Sequence, residues 1–478
     1  MTRIAFITLG CAKNEVDTDK MRARVISAGY ELVEDPADAD AVILNTCSFI
    51  TEATEEAIST ILEVLDVPRI AAGDAKLVVT GCLPARYGSE LEGELPEVAA
   101  FLGVADEDNI VAHLERLVGS PAGKAAPGTD SLAGTDAPGQ GAQVAGSETA
   151  GPQTACAGRT VTKPWAYVKI ADGCDRRCSF CTIPQIRGAY RSYPLAEISA
   201  EVQELVSGGV REIVLIAQDT GIWKPSLPQL LTTLAERFSS TWFRVMYLQP
   251  QGVTDALLAT MAEHSNICAY LDIPLQHANR RILREMNRAG DGESYLALLA
   301  RIRKALPDVA LRTTVIAGFP SETRAEAREL ERFIAAARFD YVGVFPYSRE
   351  EGTPAGKRVD QVPARTRRAR AQRLRDLADT IGFEKAAERV GKREEVLVIE
   401  ADTDLDVDVG MDADTDIGEL DALEPAGSYP LLGRSARQAP EVDGVVHLNG
   451  GVPGEVVCAR IVAAYCYELD GEITEAHE

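Results

Sequence analysis

Near the N-terminus three short apolar runs, IAFITLGC, AVILNTC and LVVTGC, alternate with segments patterned as helices, EVDTDKMRARVISAG and EATEEAISTILEVL. Continuous apolar strands separated by helices predict a parallel sheet buried on both faces. A Rossmann-like layer is therefore expected over residues 1–118. The alternation resumes further on with AYVKIADG, EIVLIAQD, FRVMYLQP, AYLDIPLQ, LRTTVIAGF and YVGVFPYS, and with helical stretches such as LAEISAEVQELVSGG and TRAEARELERFIAAAR. Six such βα units predict a partial (βα)6 barrel over 160–390, with its chemistry at the carboxyl ends of the strands. RTRRARAQRLRDLADTIGFEKAAERVGKR, after Pro363, reads as a basic, solvated helix joining two domains rather than as a nucleic-acid contact. The β-rich pieces EEVLVIE, GVVHLNG and EVVCARIVAAYCYEL predict a small antiparallel barrel over 391–478. The fold class is α/β with three domains.

Two stretches fall outside this pattern. Residues 119–159 are Gly, Ala, Pro, Ser and Thr with little that is bulky and apolar, the composition of a disordered linker. Residues 400–424 carry Asp402, Asp404, Asp406, Asp408, Asp412, Asp414, Asp416, Glu419 and Asp421 with no Lys or Arg, which reads as an acidic, solvated insertion in the last domain. The net charge of −24 argues against broad electrostatic binding of nucleic acid. The opening MTRIAFITLGC lacks a signal-peptide core, and no run approaches the roughly 18 apolar residues of a membrane span. A cytoplasmic protein without membrane contact is expected.

Ten cysteines in a reducing compartment point to metal or redox chemistry rather than disulfides. Cys11, Cys47 and Cys82 each close one of the first three strands. Strand ends of one polarity share a sheet edge, so three thiols converge there, a candidate cluster site. Cys174, Cys178 and Cys181 follow the first barrel strand in GCDRRCSFCTIP. Their C-x3-C-x2-C spacing suits three irons of a 4Fe–4S cube with the fourth iron open. Zinc would want a fourth ligand nearby, and the next His is distant. Cys156, Cys268, Cys458 and Cys466 fit neither set and read as linker or core residues.

C-x3-C-x-aromatic-C after the first strand of a βα barrel resembles the radical S-adenosylmethionine superfamily. The resemblance implies that the open iron chelates S-adenosylmethionine and that the cluster's electron cleaves it to a 5′-deoxyadenosyl radical. It also implies that Phe180 lies beside the adenine; the plainer reading is a core Phe. Three strand-end cysteines, then this motif, then a small barrel resemble the methylthiotransferases, in which the first triad holds a second 4Fe–4S cluster and the last piece is a TRAM domain. LGCAKNEVDTD, GCDRRCSFCTIPQIRG, PLQHANRRILREMNR, YSREEGTPA and GRSARQAPEVDG resemble the branch that modifies an aspartate of small-subunit ribosomal protein twelve. YLQPQG departs from that branch's pattern, and GFPSET carries Ser321 where Gly is usual, a matter for a turn. Gln218, Asp219 and Gly318, at strand ends, read either as contacts to the methionine or ribose of the cofactor or as a helix cap and a turn.

The resemblance thus implies a transferase that replaces a β-C–H of aspartate by C–S–CH3, with S-adenosylmethionine as both methyl donor and radical source. Its partners would be the ribosomal protein, a flavodoxin- or ferredoxin-like reductant, and ribosomal RNA touched through the TRAM domain. One rival is methylthiolation of a modified adenosine in transfer RNA, against which the acidic balance weighs. Another is a non-catalytic iron–sulfur RNA-binding protein, which would have no use for an open iron. Loop closure varies slowly with length, so deleting Ala125–Ala155 should leave the chain folded, with a melting temperature equal to the parent's.

Overall fold

The computed structural model describes residues 1–120, 158–402 and 429–474. Most of the expected linker and of the acidic insertion lies outside the described residues. The N-terminal sheet contains β1 (Arg3–Thr8), β2 (Glu31–Leu32), β3 (Ala41–Thr46), β4 (Lys76–Gly81) and β5 (Ala100–Gly103), all parallel, in the order β2-β1-β3-β4-β5. Its strands send alternate residues to opposite faces. Val42, Leu44, Leu77 and Val79 pack with Ile61 and Leu83 on one side, and Ile4, Ile43 and Val78 pack with Met21, Val25 and Leu114 on the other. Burial on both faces explains the unbroken apolar runs. The edge strands β2 and β5 are too short to carry such a run, and the pattern missed them.

The central region has β6 (Trp165–Lys169), a short antiparallel pair β7 (Ala171–Asp172) and β8 (Arg191–Ser192), then β9 (Glu212–Ile216), β10 (Trp242–Val245), β11 (Tyr270–Asp272), β12 (Ala310–Ala317) and β13 (Tyr341–Pro346). β6, β9 and β10 form one parallel sheet and β11, β12 and β13 another, joined by the bridge Phe243–Ile267. This is the expected open six-stranded barrel. Its inward residues Trp165, Tyr167, Val214, Ile216, Trp242, Met246 and Tyr270 share a cluster with Ala12 and Val16 of the first helix (Ala12–Ala28) and with Leu397 and Ala439 of the last domain. The barrel interior is thus packed from the two flanking domains.

The basic helix (Ala364–Ala387) corrects the sequence reading. It is not simply solvated: Ala371, Leu374, Ala378 and Ile381 are buried, the first two and Ile381 in the barrel core. Several arginines are consumed within the fold, Arg370 on Glu322 (2.7 Å), Arg375 on the Val344 carbonyl (2.9 Å) and Arg367 on the Tyr347 carbonyl. A charge-rich helix can bury long aliphatic stems while its guanidinium groups reach carbonyls. Arg159, assigned to the linker, is a second correction. Its side chain is buried on Glu201 (2.7 Å) and Asp19 (2.9 Å), a long-range pairing that local composition cannot reveal.

The last domain is a closed barrel of β14 (Arg393–Ala401), β15 (Leu431–Ser435), β16 (Val446–Leu448), β17 (Val456–Tyr465) and β18 (Glu468–Ile473), antiparallel except where β16 meets β18. Cys268 is buried as expected, Cys458 is half-buried in β17, and Cys466 sits in the β17–β18 turn at φ 58° rather than in a core. Cys156 lies outside the described residues. The GRSARQAPEVDG segment docks under the barrel: Arg434 and Arg244 both grip Glu212 (2.6 and 2.7 Å), and Tyr270 donates to Asp443 (2.7 Å). Among the described residues no helix is long and apolar enough to cross a membrane.

Burial alone would raise the Glu212 carboxyl, but Arg434 and Arg244 outweigh it and hold it below the usual range. A depressed folded value means that this stabilisation is present above the unfolded glutamate's pKa and is lost as pH falls through the folded value. Glu212→Gln should therefore cost roughly 3–5 kcal/mol at pH 7, because two buried arginines lose their counter-charge. In urea denaturation, the gap from the parent should close as the medium is acidified below the usual glutamate range.

Candidate functional site

Both cysteine triads stand at strand carboxyl ends. Cys11 occupies the N-cap of the first helix, Cys47 follows β3, and Cys82 opens the helix Cys82–Glu94 directly after β4. Asn14, one turn into the first helix, gathers them: its Oδ1 lies 3.9 Å from Cys11 Sγ and 3.8 Å from Cys82 Sγ. The closeness of the two inner sulfurs lowers the pKa of Cys47 and raises that of Cys82, to which burial also adds. Gly10, at φ 106°, lets the strand end pass over Cys47, since a Cβ there would fall 2.5 Å from Cys47 Cβ and 3.3 Å from its Sγ. Cys47 and Cys82 are buried, and Cys11 is exposed.

The second triad lies on the loop closed by β7 and β8. Gly173 turns into it at φ 73°, where a Cβ would stand 2.2 Å from the Ala189 carbonyl oxygen. Within the loop the Cys174 amide bonds Gly188 O (3.1 Å) and the Cys181 amide bonds Cys178 O (3.2 Å). Ser179 ties it to the barrel through Met286 O (3.1 Å) and Glu285 O (2.7 Å). Burial raises Cys174 and pushes Cys181 up to about 12, with the neighbouring thiols adding to both shifts. Such thiols hold their protons until a metal displaces them. Arg288 Nη1 reaches Cys178 Sγ at 3.7 Å.

Among the described residues no three His, Cys, Asp or Glu side chains close on a position for a single metal ion.

Of the other expected contacts, Gln218 donates to Asp172 (2.9 Å) and leaves its Oε1 buried without a partner. Asp219 accepts from Arg176 Nε (2.5 Å) and leaves Oδ1 likewise. Asp219 precedes the turn Thr220–Ile222, whose Gly221 amide favours its charged form, without closing a side-chain cap. Gly318 is different. Its amide donates to Glu322 (2.8 Å), and a Cβ there would lie 2.5 Å from Arg367 Cγ, so a turn at φ 77° packed under the basic helix explains it. Phe180 is half-buried against the barrel core. Ser321 sits in the turn anticipated for it, at φ 69°.

Several residues that sequence reasoning did not single out tie the N-terminal triad to the barrel. Arg187 Nη2 reaches Asn14 Oδ1 (2.9 Å) and Cys82 Sγ (3.8 Å), while its Nη1 reaches Asp17 (3.0 Å) and Asp172 (3.1 Å). Lys169 adds Asp172 (2.8 Å) and Asp17. The Lys13 ammonium lies over the Tyr247 ring, 3.2 Å from its centroid, and burial pushes it down to about 8. Arg187 and Lys13 both fall inside motifs read for their cysteines, QIRG and LGCAKN. Only their position in space separates them from ordinary surface charges. The YLQPQG loop, atypical in sequence, supplies Tyr247 at φ 63°.

Known proteins match this arrangement. Residues 3–103 match the uncharacterized protein family UPF0004, residues 168–334 the Radical SAM superfamily, and residues 421–474 the TRAM domain. Ribosomal protein uS12 methylthiotransferase RimO of Syntrophus aciditrophicus is 40% identical over 489 residues, covering 99% of this chain and 98% of the relative. The enzyme of the same name from Geobacter sulfurreducens is 38% identical, covering 98% of each. This chain belongs to the uS12 methylthiotransferase family. In fold the chain is similar to the radical S-adenosylmethionine methyltransferase TsrM from Kitasatospora setae, solved with cobalamin and a [4Fe-4S] cluster bound. That structure has a TM-score of 0.50 at 14% identity and covers 74% of each chain. The same enzyme with tryptophan and a SAM analogue bound also gives 0.50, over 84% of this chain and 79% of that one.

In this member of the family, Arg187→Met should cost roughly 3–5 kcal/mol in urea denaturation, because Asp17 and Asp172 lose a buried counter-charge. Changing Asp17→Asn in the same chain should recover part of that loss, as the two residues share one network.

Proposed function

We propose that this chain methylthiolates ribosomal protein uS12, replacing a hydrogen on the β-carbon of an aspartate side chain by S–CH3. The observation that carries the reading is the pairing of two cysteine triads at strand carboxyl ends across one interface pinned by Arg187. The near-full-length kinship with enzymes named for uS12 supports the substrate. The aspartate rests on the branch motifs around Cys11 and Cys174 and on chemistry, since a β-hydrogen of aspartate is too weakly acidic for ordinary base catalysis.

Cys174, Cys178 and Cys181 would hold one 4Fe–4S cluster and Cys11, Cys47 and Cys82 a second. When bound, the clusters and two equivalents of S-adenosylmethionine would supply an electron, a hydrogen-abstracting carbon radical, and a methylated sulfur to take the hydrogen's place. The chain's own residues do the positioning. Gln218 Oε1 and Asp219 Oδ1, buried and unpartnered, are free to accept from the amino or hydroxyl groups of S-adenosylmethionine beside the central triad. Phe180 offers an apolar wall from the same loop. Asn14 and Arg187 fix the N-terminal thiols, and the packed barrel interior keeps water from the reacting groups. A small reductant of the flavodoxin or ferredoxin class supplies the electron, and the TRAM domain touches ribosomal RNA beside the substrate protein.

Anaerobic reconstitution should load two clusters per chain. Changing Cys174, Cys178 and Cys181 to Ala should leave one cluster and abolish cleavage of S-adenosylmethionine. Changing Cys11, Cys47 and Cys82 to Ala should keep cleavage and lose product by mass spectrometry of uS12. Iron and sulfide that never exceed one cluster in the parent would rule out the two-cluster site. Modification of transfer RNA in place of uS12 would rule out the substrate.

A further inference from the structure

Lys13 is nine-tenths buried where the N-terminal domain meets the barrel mouth. Among the described residues it has no carboxylate oxygen within 4.0 Å, and its described partner is the ring of Tyr247. The neighbouring acids are committed elsewhere. Asp172 is held by Lys169, Arg187, Gln218 and the Gly173 amide. Asp272 is held by Arg312 (3.3 Å) and the Tyr247 amide (3.1 Å). The Cys11 sulfur favours the ammonium's charge more than either acid does but belongs to the N-terminal triad, and the face of Tyr247 is the contact the ammonium makes among the described residues, a weak return for burying a charge. Cys11, two residues away, is exposed.

We infer that Lys13 anchors a carboxylate of the bound substrate, that of the acceptor aspartate, and so sets the β-carbon between the two triads. The inference rests on the aspartate reading above and deepens it. The carboxylate is one bond from the carbon to be modified, so gripping it fixes which hydrogens face the radical source. An asparagine at the acceptor position would bring a neutral amide and leave the ammonium unpaired. The second carboxylate present during turnover is that of S-adenosylmethionine, and the experiment separates the two.

Reconstituted holoenzyme is titrated calorimetrically with a peptide covering the acceptor aspartate of uS12 and with the same peptide carrying asparagine. The titrations are done for the parent, Lys13→Met, Lys13→Gln and Lys13→Arg, with melting curves and iron and sulfide content confirming fold and loading. The parent should prefer the aspartate peptide at least about tenfold. Both neutral variants should erase the preference and Lys13→Arg should retain most of it. An unchanged preference in whichever neutral variant loads, or no preference in the parent, overturns the inference. So does a loss confined to S-adenosylmethionine affinity, which would give Lys13 to the cofactor. A parent that leaves the aspartate of intact uS12 unmodified brings down the acceptor reading itself, an outcome distinct from the others.

Discussion

The buried network of Asp17, Lys169, Asp172 and Arg187 is the constraint on which the arrangement of this molecule depends. Two acids and two bases come from both sides of the contact between the N-terminal sheet and the barrel. Asp17 lies on the first helix, Lys169 and Asp172 on the first barrel strands, and Arg187 on the segment just past the central cysteine loop. Buried ion pairs of this kind add little net stability over apolar packing, but they tolerate no mismatch, because a charge left alone in such a place is expensive. The network therefore fixes orientation. With Arg187 also touching Asn14 and Cys82, the register of the contact is set at the thiols themselves. Glu350 makes a second clamp, accepting from the Thr51 amide (2.9 Å) and from Arg86 (2.9 Å), so the two domains are held at separate points and cannot pivot about one.

The six strands do not close on themselves, and the neighbouring domains complete the barrel. The first helix inserts Ala12 and Val16, the last domain inserts Leu397 and Ala439, and the Glu212–Arg244–Arg434 group pins the floor. The first helix thus carries Cys11 at its start, Asn14 and Lys13 in its first turn, Asp17 in its second, and apolar wedges between them. One helix face serves the thiols, the ion network and the barrel core together. This explains why Val16 and Asp17 are both buried although they are consecutive and chemically opposite.

The strand runs that end in cysteines were legible because parallel sheets covered on both faces leave a continuous apolar record, and because a shared strand polarity turns sequence order into spatial convergence. The central motif was legible from spacing alone. What the chain did not disclose were interactions between distant positions. Arg187 and Lys13 are single charges in polar stretches, and Arg159 lies in what composition marks as linker. The basic helix looked solvated because its arginines outnumber its apolar residues, while the carbonyls that absorb them come from other elements. Gly318 shows the same limit: the sequence left it open between a cofactor contact and a turn, and the helix packed over it, which leaves room only for hydrogen, accounts for the turn.

The unequal exposure of the N-terminal triad gives that site a direction. Cys47 and Cys82 are sealed behind the sheet edge, whereas Cys11 faces solvent at the helix start. Peroxide or oxygen arriving from outside meets Cys11 before the other two, and oxidation follows access. A sulfenic acid formed there could still be reduced while the inner pair stays intact. Oxidative injury would then begin as a reversible lesion at one sulfur, and repair would need to reach only the surface.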